Sequence, residues 1–387
     1  MTIHRKGFLL SGAAALAGAA VPSAARAQFH QFAQQLTIAV NVPLSGDKGS
    51  AGREIASGVQ AAIDENNQMT AAYSSAFVMR TFDDMDALAQ AIVNVQFAAA
   101  DPTVLAVVGG FDGSLTTGSL ATYANQQMPL LVPASTADGI TAQGYRMVWR
   151  LPTKDSVEGQ LHARFIAKRA KPKIALAITQ DGDYGYDVAQ AFVNQAKSLG
   201  VAADGYAFPY DKPDFAAHAQ RILTKKPDYV LLCGTTEAMG PLIPALRSAG
   251  YTGTFGATEG FYDQSTLAKY GDAFKNGFIS TSFPPLDLAP DVLNALNDFR
   301  ARYTVTPLSA FAYASAQIIM SAAKRTGATS RLALMTALQR PSSYDTIVGS
   351  FQFDFTGDPV DPNLYFYTIE GGKFKYVAPA HPTAFVL

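Results

Sequence analysis

The residues best suited to hold a ligand lie in short loops rather than in catalytic constellations. Three loops rich in small and hydroxyl residues each follow an apolar run: residues 43–46 (PLSG), 109–117 (GGFDGSLTT) and 133–136, which are Pro133, Ala134, Ser135 and Thr136. A loop of this kind that opens a helix presents backbone N–H groups. With the hydroxyls of Ser114 and Thr116 beside them, those groups suit a carboxylate. Ser114 is equally placed to cap that helix, and the two roles are compatible. Further along, residues 181–185 (DGDYG) offer Tyr184 among glycines, and Glu259 is an acid in the Gly-rich apolar stretch ATEGF. A carboxylate at a cleft edge pairs with a ligand ammonium; at a surface the same residue is an ordinary solvated or capping acid.

Catalytic arrangements are missing. No serine stands in G-x-S-x-G, the turn that exposes a hydrolase nucleophile, and neither G-x-x-x-x-G-K-[ST] nor G-x-G-x-x-G occurs to cradle phosphate. The histidines (His4, His30, His162, His218 and His381) are not spaced as metal ligands, and each is expected at the surface or at a helix end. Asp181, Asp183 and Asp187 lack the spacing and the closing Glu of a calcium loop. No nucleophile is paired with a base, so the chain is not expected to be an enzyme, and neither a metal nor a cofactor is expected.

The elements that must position these loops alternate in type. Residues 36–42 (LTIAVNV) predict a strand, and 52–67 carry Ile55, Val59, Ala62 and Ile63 at helical spacing. Strands over 76–82, 104–108 and 130–132 then alternate with helices over 87–99 and 114–127. Extended residues 147–153 hold the only tryptophan, Trp149. Beyond them a second series runs, with strands over 173–179, 201–208, 229–233 and 253–257 and helices over 185–199, 215–224 and 238–249. A long apolar helix over 310–326 and β-rich segments over 347–355 and 364–370 complete the pattern. This rhythm predicts parallel sheets covered by helices. Two such series make two lobes with a cleft between them. Ligands of open parallel sheets bind beyond the carboxyl ends of the strands, and two facing edges form a clamshell able to close.

Composition narrows the partners. The 387 residues carry 30 Lys plus Arg against 31 Asp plus Glu, a net charge of −1, and only 16% are charged. Without a basic excess there is no electrostatic footprint for nucleic acid. The single cysteine, Cys233, excludes a disulfide scaffold and a Cys-based zinc site. Residues 1–27 read as an export signal: His4, Arg5 and Lys6 precede the uncharged apolar run 7–21, and Ala25-Arg26-Ala27 form a small-x-small cleavage site. That run is shorter than the roughly 20 residues that span a bilayer. Arg5-Lys6-Gly7-Phe8 fits a twin-arginine-like signal with lysine in second place, and an ordinary secretory signal fits as well. No cysteine follows the run to carry a lipid. The chain is therefore expected free in a bacterial periplasm, cleaved near Ala27.

Taken in order, IAVNVPLSG, GREIASGVQAAIDENN, TFDD, VVGGFDGS, MPLLVPAST, DGDYG, YVLLCGTTEAMGPLIPALRSAGY and ATEGFYD resemble the periplasmic leucine/isoleucine/valine-binding family of ABC-transporter substrate-binding proteins. The likeness covers nearly all of the chain beyond residue 27. It implies an α/β fold of two Rossmann-like lobes with parallel sheets joined by a three-segment hinge, the type I periplasmic binding fold. The lobes would be 28–151 with 284–347, and 152–283 with 348–387. It implies capture of an amino acid, amide or small aromatic acid for an ABC permease in the inner membrane. By position, the ligand carboxylate falls to Gly113 or Ser114, with Ala134 and Thr136. The ammonium falls to the Ala134 carbonyl, the Thr136 hydroxyl and Glu259. Tyr184 closes over the ligand, Phe111 lines the side-chain pocket, and Ser135 shares the loop of Ala134. Two tyrosines that crowd the pocket of branched-chain binders fall on Ala51 and Thr235. Asp112 occupies one position of the family's first-lobe disulfide. The pocket is therefore expected to be roomier and more polar than one for leucine, with Glu259 and Thr136 favouring an α-amino acid. A ligand-sensing receptor component and a binder of a small aromatic acid are the alternatives.

Overall fold

The computed structural model describes residues 35–69, 76–180, 184–209, 214–285, 301–302 and 304–382. The export signal read at 1–27 lies outside the described residues, as do Asp181 and Asp183.

The first apolar run becomes β1 (Leu36–Val42), buried at every position, as expected of a parallel strand covered on both faces. There follow α1 (Gly49–Met69), β2 (Phe77–Asp83), α2 (Leu88–Ala100), β3 (Val104–Gly109), α3 (Gly113–Asn125), β4 (Leu130–Val132), the short α4 (Gly139–Ala142) and β5 (Val148–Arg150). Their strands form one parallel sheet in the order β2-β1-β3-β4-β5. Helix α5 (Asp155–Arg169) leads into β6 (Ile174–Gln180), α6 (Tyr186–Ser198), β7 (Ala202–Phe208), α7 (Phe215–Leu223) and β8 (Tyr229–Leu232). Next come α8 (Thr236–Met239), α9 (Leu242–Ser248), β9 (Thr254–Ala257), α10 (Gln264–Tyr270) and β10 (Phe278–Thr281).

The chain then returns to the first lobe. Helix α11 (Pro307–Thr326) is buried on most of its faces and joins α1 and the first sheet in one core. Its start obeys local chemistry: Thr306 caps it with Ser309 in a reciprocal pair, and Pro307 stands where no N–H is needed. Helix α12 (Arg331–Leu338) and the antiparallel pair β11 (Tyr344–Thr346) and β12 (Gly349–Phe351) follow. Last, β13 (Leu364–Glu370) and β14 (Lys373–Ala380) complete the second sheet, in the order β14-β13-β10-β9-β8-β6-β7.

Several expectations are corrected. The helix expected over 238–249 breaks into α8 and α9 at Gly240-Pro241, because proline cannot donate within a helix. The β-rich stretch over 347–355 yields only β12. Residues 347 and 348 lie in the β11–β12 hairpin, and Val348, Phe351 and Phe353 pack with the first core; residues 354–363, the third crossing, lead on to β13. Strand β14 was not expected. Its turn is Gly371-Gly372, with φ of 58° and 70°, the left-handed pair that a two-residue hairpin requires.

Candidate functional site

Strand order reverses beside β1 in the first sheet and beside β6 in the second, and such points place ligands beyond the carboxyl ends of the strands. On the first lobe, the loops after β3 and β4 meet. Ser135 N–H donates to the Gly110 carbonyl at 3.1 Å. At Gly113 a Cβ would lie 2.8 Å from the Ala137 Cβ and 3.3 Å from Ser135 Oγ, so a bare backbone is needed for this approach. The cap of α3 is Asp112 rather than Ser114. Asp112 Oδ1 accepts from Ser114 N–H at 2.9 Å, Leu115 N–H at 3.0 Å and the Ser114 hydroxyl at 2.7 Å. Lys48 Nζ lies 3.3 Å from Asp112 Oδ2. Burial pushes the Asp112 carboxyl up, but these donors outweigh it and hold it below the usual range. The N–H groups that suit a ligand carboxylate are thus already bound to a carboxylate of the chain. Thr116 turns inward, its hydroxyl donating to the Asp112 carbonyl. Phe111 and Ala134 lie half-buried against the first core.

Between the lobes, the hinge holds a buried ion pair. Arg150, fully buried at the end of β5, commits all of its N–H groups. Nε and Nη2 donate to Asp358 Oδ1, Nη2 also to Thr141 Oγ1 at 2.7 Å, and Nη1 to the carbonyls of Thr136 and Ala137. Lys154 Nζ adds a contact to Asp358 Oδ2 at 3.0 Å. Burial raises the Asp358 carboxyl, but Arg150 and Lys154 together bring it below the usual range. Arg150 thereby ties the Thr136 loop to the third crossing.

The second-lobe wall is built of acids. Asp155 and Glu158 lie in the first turn of α5, where the helix dipole favours negative charge by about 0.3–1 kcal/mol each. The Thr136 carbonyl accepts from Asp155 N–H at 3.0 Å, and the Asp138 carboxylate accepts from Ser156 N–H at 3.0 Å, so the first lobe abuts this helix start. Glu158 Oε1 accepts from Glu259 N–H at 3.1 Å and from the Ser280 hydroxyl at 2.7 Å; Oε2 accepts from Tyr184 OH at 3.4 Å. Behind it, His162 Nδ1 lies 2.9 Å from Ser280 Oγ and Nε2 lies 2.7 Å from Tyr229 OH. Since Ser280 gives its proton to Glu158, His162 donates from Nδ1 and accepts at Nε2. Gly256 makes room: a Cβ there would lie 2.1 Å from Tyr229 OH. Glu259 Oε2 accepts from Ser282 N–H at 3.3 Å and its hydroxyl at 3.0 Å.

Burial dominates the electrostatics of this wall. It pushes Glu158 well above the carboxylate range, and the neighbouring Glu259 adds to the effect. It pushes Asp155 up to about 7, with the Thr136 hydroxyl opposing and Asp138 adding. It raises Glu259 against the pull of Ser282. His162 is pushed down to about 3 and is neutral.

Of the residues read from sequence, Gly113, Ser135 and Thr136 adjoin one another, and Tyr184 and Glu259 adjoin through Glu158. Thr235 spends its hydroxyl capping α8, accepting from Ala238 N–H at 3.3 Å. His162 is not a surface or capping residue but a fully buried one. Asp155 and Glu158 were missed. A signal existed: with His162 they fall at i, i+3 and i+7, on the face that also buries Leu161, Phe165 and Ile166. Among the described residues, no group of His, Cys, Asp and Glu is arranged to hold a metal ion.

Known proteins share this plan. Residues 35–373 match the family described as periplasmic binding protein. The Leu/Ile/Val-binding protein BraC3 of Rhizobium johnstonii is 26% identical over 87% of this chain and 92% of its own length. The Leu/Ile/Val-binding protein of Citrobacter freundii is 24% identical over 84% and 89%. The leucine-binding protein LivK of Thermotoga maritima superposes with a TM-score of 0.80 at 21% identity, covering 90% of this chain and 99% of that one. A solute-binding protein of R. palustris in complex with benzoate gives 0.75 at 20% identity over 89% and 97%. With the match spanning both sheets and their connections, the chain belongs to the periplasmic binding protein family.

Proposed function

We propose that the protein is the substrate-binding component of an ABC importer. It takes a small solute, an amino acid or a related carboxylate or amide, in the cleft between its lobes and closes on it. The observation that carries this reading is the line Thr136–Asp155–Glu158–Glu259, from a loop of the first sheet to a loop of the second: Asp155 N–H bonds the Thr136 carbonyl, Asp155 and Glu158 share the first turn of α5, and Glu259 N–H bonds Glu158. A ligand seated on that line touches both lobes and biases the open–closed equilibrium toward closure. Closure replaces water with fixed partners in a low-dielectric cleft. Glu259 would meet the ligand ammonium, Tyr184 would cover it, and Phe111 would line its side chain. The names of the Leu/Ile/Val-binding relatives support the amino-acid reading. The role calls for no bond-making, and the closed form is the one an inner-membrane permease would recognise. The signal-like residues 1–27 support release into the periplasm.

Mass spectrometry of the purified protein under native conditions is expected to show a retained small solute. Amino acids, amides and aromatic acids are then ranked by the rise in melting temperature, which follows mass action. Glu259→Ala is expected to weaken the best amino acid about 100-fold while circular dichroism is unchanged, the scale of removing one partner of a buried charge pair. Unchanged affinity by calorimetry rejects the amino-acid assignment, and a panel in which only benzoates bind replaces it with an aromatic acid.

A further inference from the structure

The second-lobe wall holds more carboxyl groups than one ammonium group can meet. Glu259, Glu158 and Asp155 follow one another along it, and Glu158 and Asp155 are buried almost completely. Among the described residues, no lysine, arginine or histidine forms an ion pair with any of them. The nearest cations are taken: every N–H of Arg150 is bound to Asp358, Thr141 or a carbonyl, and Lys154 lies on Asp358. His162 presents its proton to Ser280 and carries no charge.

The wall also has acceptor capacity left over. Glu158 receives donors from Ser280, Glu259 and Tyr184. Asp155 is met on one side by the Thr136 hydroxyl, but its Oδ1 is buried and, among the described residues, has no donor. Asp155 is bonded through its N–H to the Thr136 carbonyl of the first lobe, and its carboxyl acts electrostatically on Glu158 and Tyr184 of the second. Buried acceptors are ordinarily satisfied, and a buried carboxylate without a cation is costly unless a proton or a partner neutralises it. In the empty protein protons can do so. A ligand that brings N–H donors with positive charge displaces them and fills the vacant acceptor.

We propose that the solute is cationic: beyond the ammonium assigned to Glu259 it carries a second positively charged, N–H-bearing group that seats against Glu158 and Asp155, as in a basic amino acid or a small diamine. The inference rests on the binding-protein reading and narrows its ligand class. It separates this cleft from one built for leucine, whose side chain offers no donor to Glu158 or Asp155. The two positions expected to leave the pocket roomy, Ala51 and Thr235, carry small side chains as well.

Isothermal titration of the full-length exported protein with lysine, ornithine, arginine, putrescine, agmatine, leucine, isoleucine and benzoate tests the idea. At least one of the cations is expected to bind ten-fold or more tightly than leucine. Glu158→Gln, close in shape and neutral, is expected to weaken that cation at least ten-fold and to weaken leucine by a clearly smaller factor. Asp155→Asn is the second variant should the first fail to fold, and each variant's unliganded melting curve reports folding. Leucine, isoleucine or benzoate binding as tightly as the best cation overturns the cationic assignment and leaves the binding-protein reading intact. Cation affinity unchanged in a folded variant does the same. A panel in which no compound binds overturns both.

Discussion

Two regions of this molecule bury carboxylates, and they treat them in opposite ways. At the hinge, Asp358 is met by Arg150 and Lys154, and its charge is held in the ionised form. In the cleft, Asp155 and Glu158 are as deeply buried, yet burial pushes both up; among the described residues no cation forms an ion pair with either, and Arg150 only partly offsets the effect at Asp155. A charge that only supports structure is completed from within the chain. A charge kept for a visitor is left incomplete, and the difference is visible before any ligand is seen.

Three substitutions test that contrast, in order of expected size. Arg150→Ala leaves the buried Asp358 with Lys154 as its only cation and removes a donor from two carbonyls. It is expected to lower stability toward the upper end of about 3–5 kcal/mol, read from the urea midpoint. The double change Arg150→Met with Asp358→Leu is expected to cost clearly less. An equal loss in both would mean that packing, not charge, sets the value of the hinge pair.

Asp155 gives a pH signature of the opposite kind. Its carboxyl titrates at about 7 when folded, against roughly 4 for an unfolded aspartate. Between those values the folded state holds more protons, so Asp155 costs the unliganded protein stability as pH rises from about 4 to 7, and its share levels off above. Asp155→Asn is expected to flatten that decline by up to about 4 kcal/mol in stability measured across the range. A decline as steep in the variant as in the parent would show that Asp155 is not the group responsible.

Asp112 is the smallest test, a half-exposed carboxylate that caps α3 and pairs with Lys48. Asp112→Ala is expected to cost about 1 kcal/mol in thermal unfolding, the usual price of a lost cap. If the freed N–H groups of Ser114 and Leu115 raise the affinity for a ligand carboxylate, the cap occupies a site that the ligand also needs.

Much of the fold was legible because it rests on local rules. The β-branched runs of β1 and β3, the apolar spacing of α1 and the loops that follow strands all follow from periodicity. What escaped was long-range. Asp155 and Glu158 read as the acidic start of a helix, which is also what they are. They become a site only through Glu259, a hundred residues later, and through Thr136 on the other lobe. His162 read as a surface residue because nothing nearby in sequence announces Ser280 or Tyr229. The place of Ser114 as cap passed to Asp112 because two residues compete for one helix start, and only the backbone angle decides between them. The hinge pair was illegible for the same reason: Arg150 and Asp358 meet only when the third crossing packs on the first.

The interleaving of the two lobes also governs how the chain comes to be folded. The first core draws on residues from Leu36 to Val348, and the second sheet is finished only by β14, ending at Ala380. The first core therefore waits for residues near Val348, and the second sheet waits for β14. Contacts this distant in sequence slow folding, so a nascent chain stays open almost until its last strand has emerged.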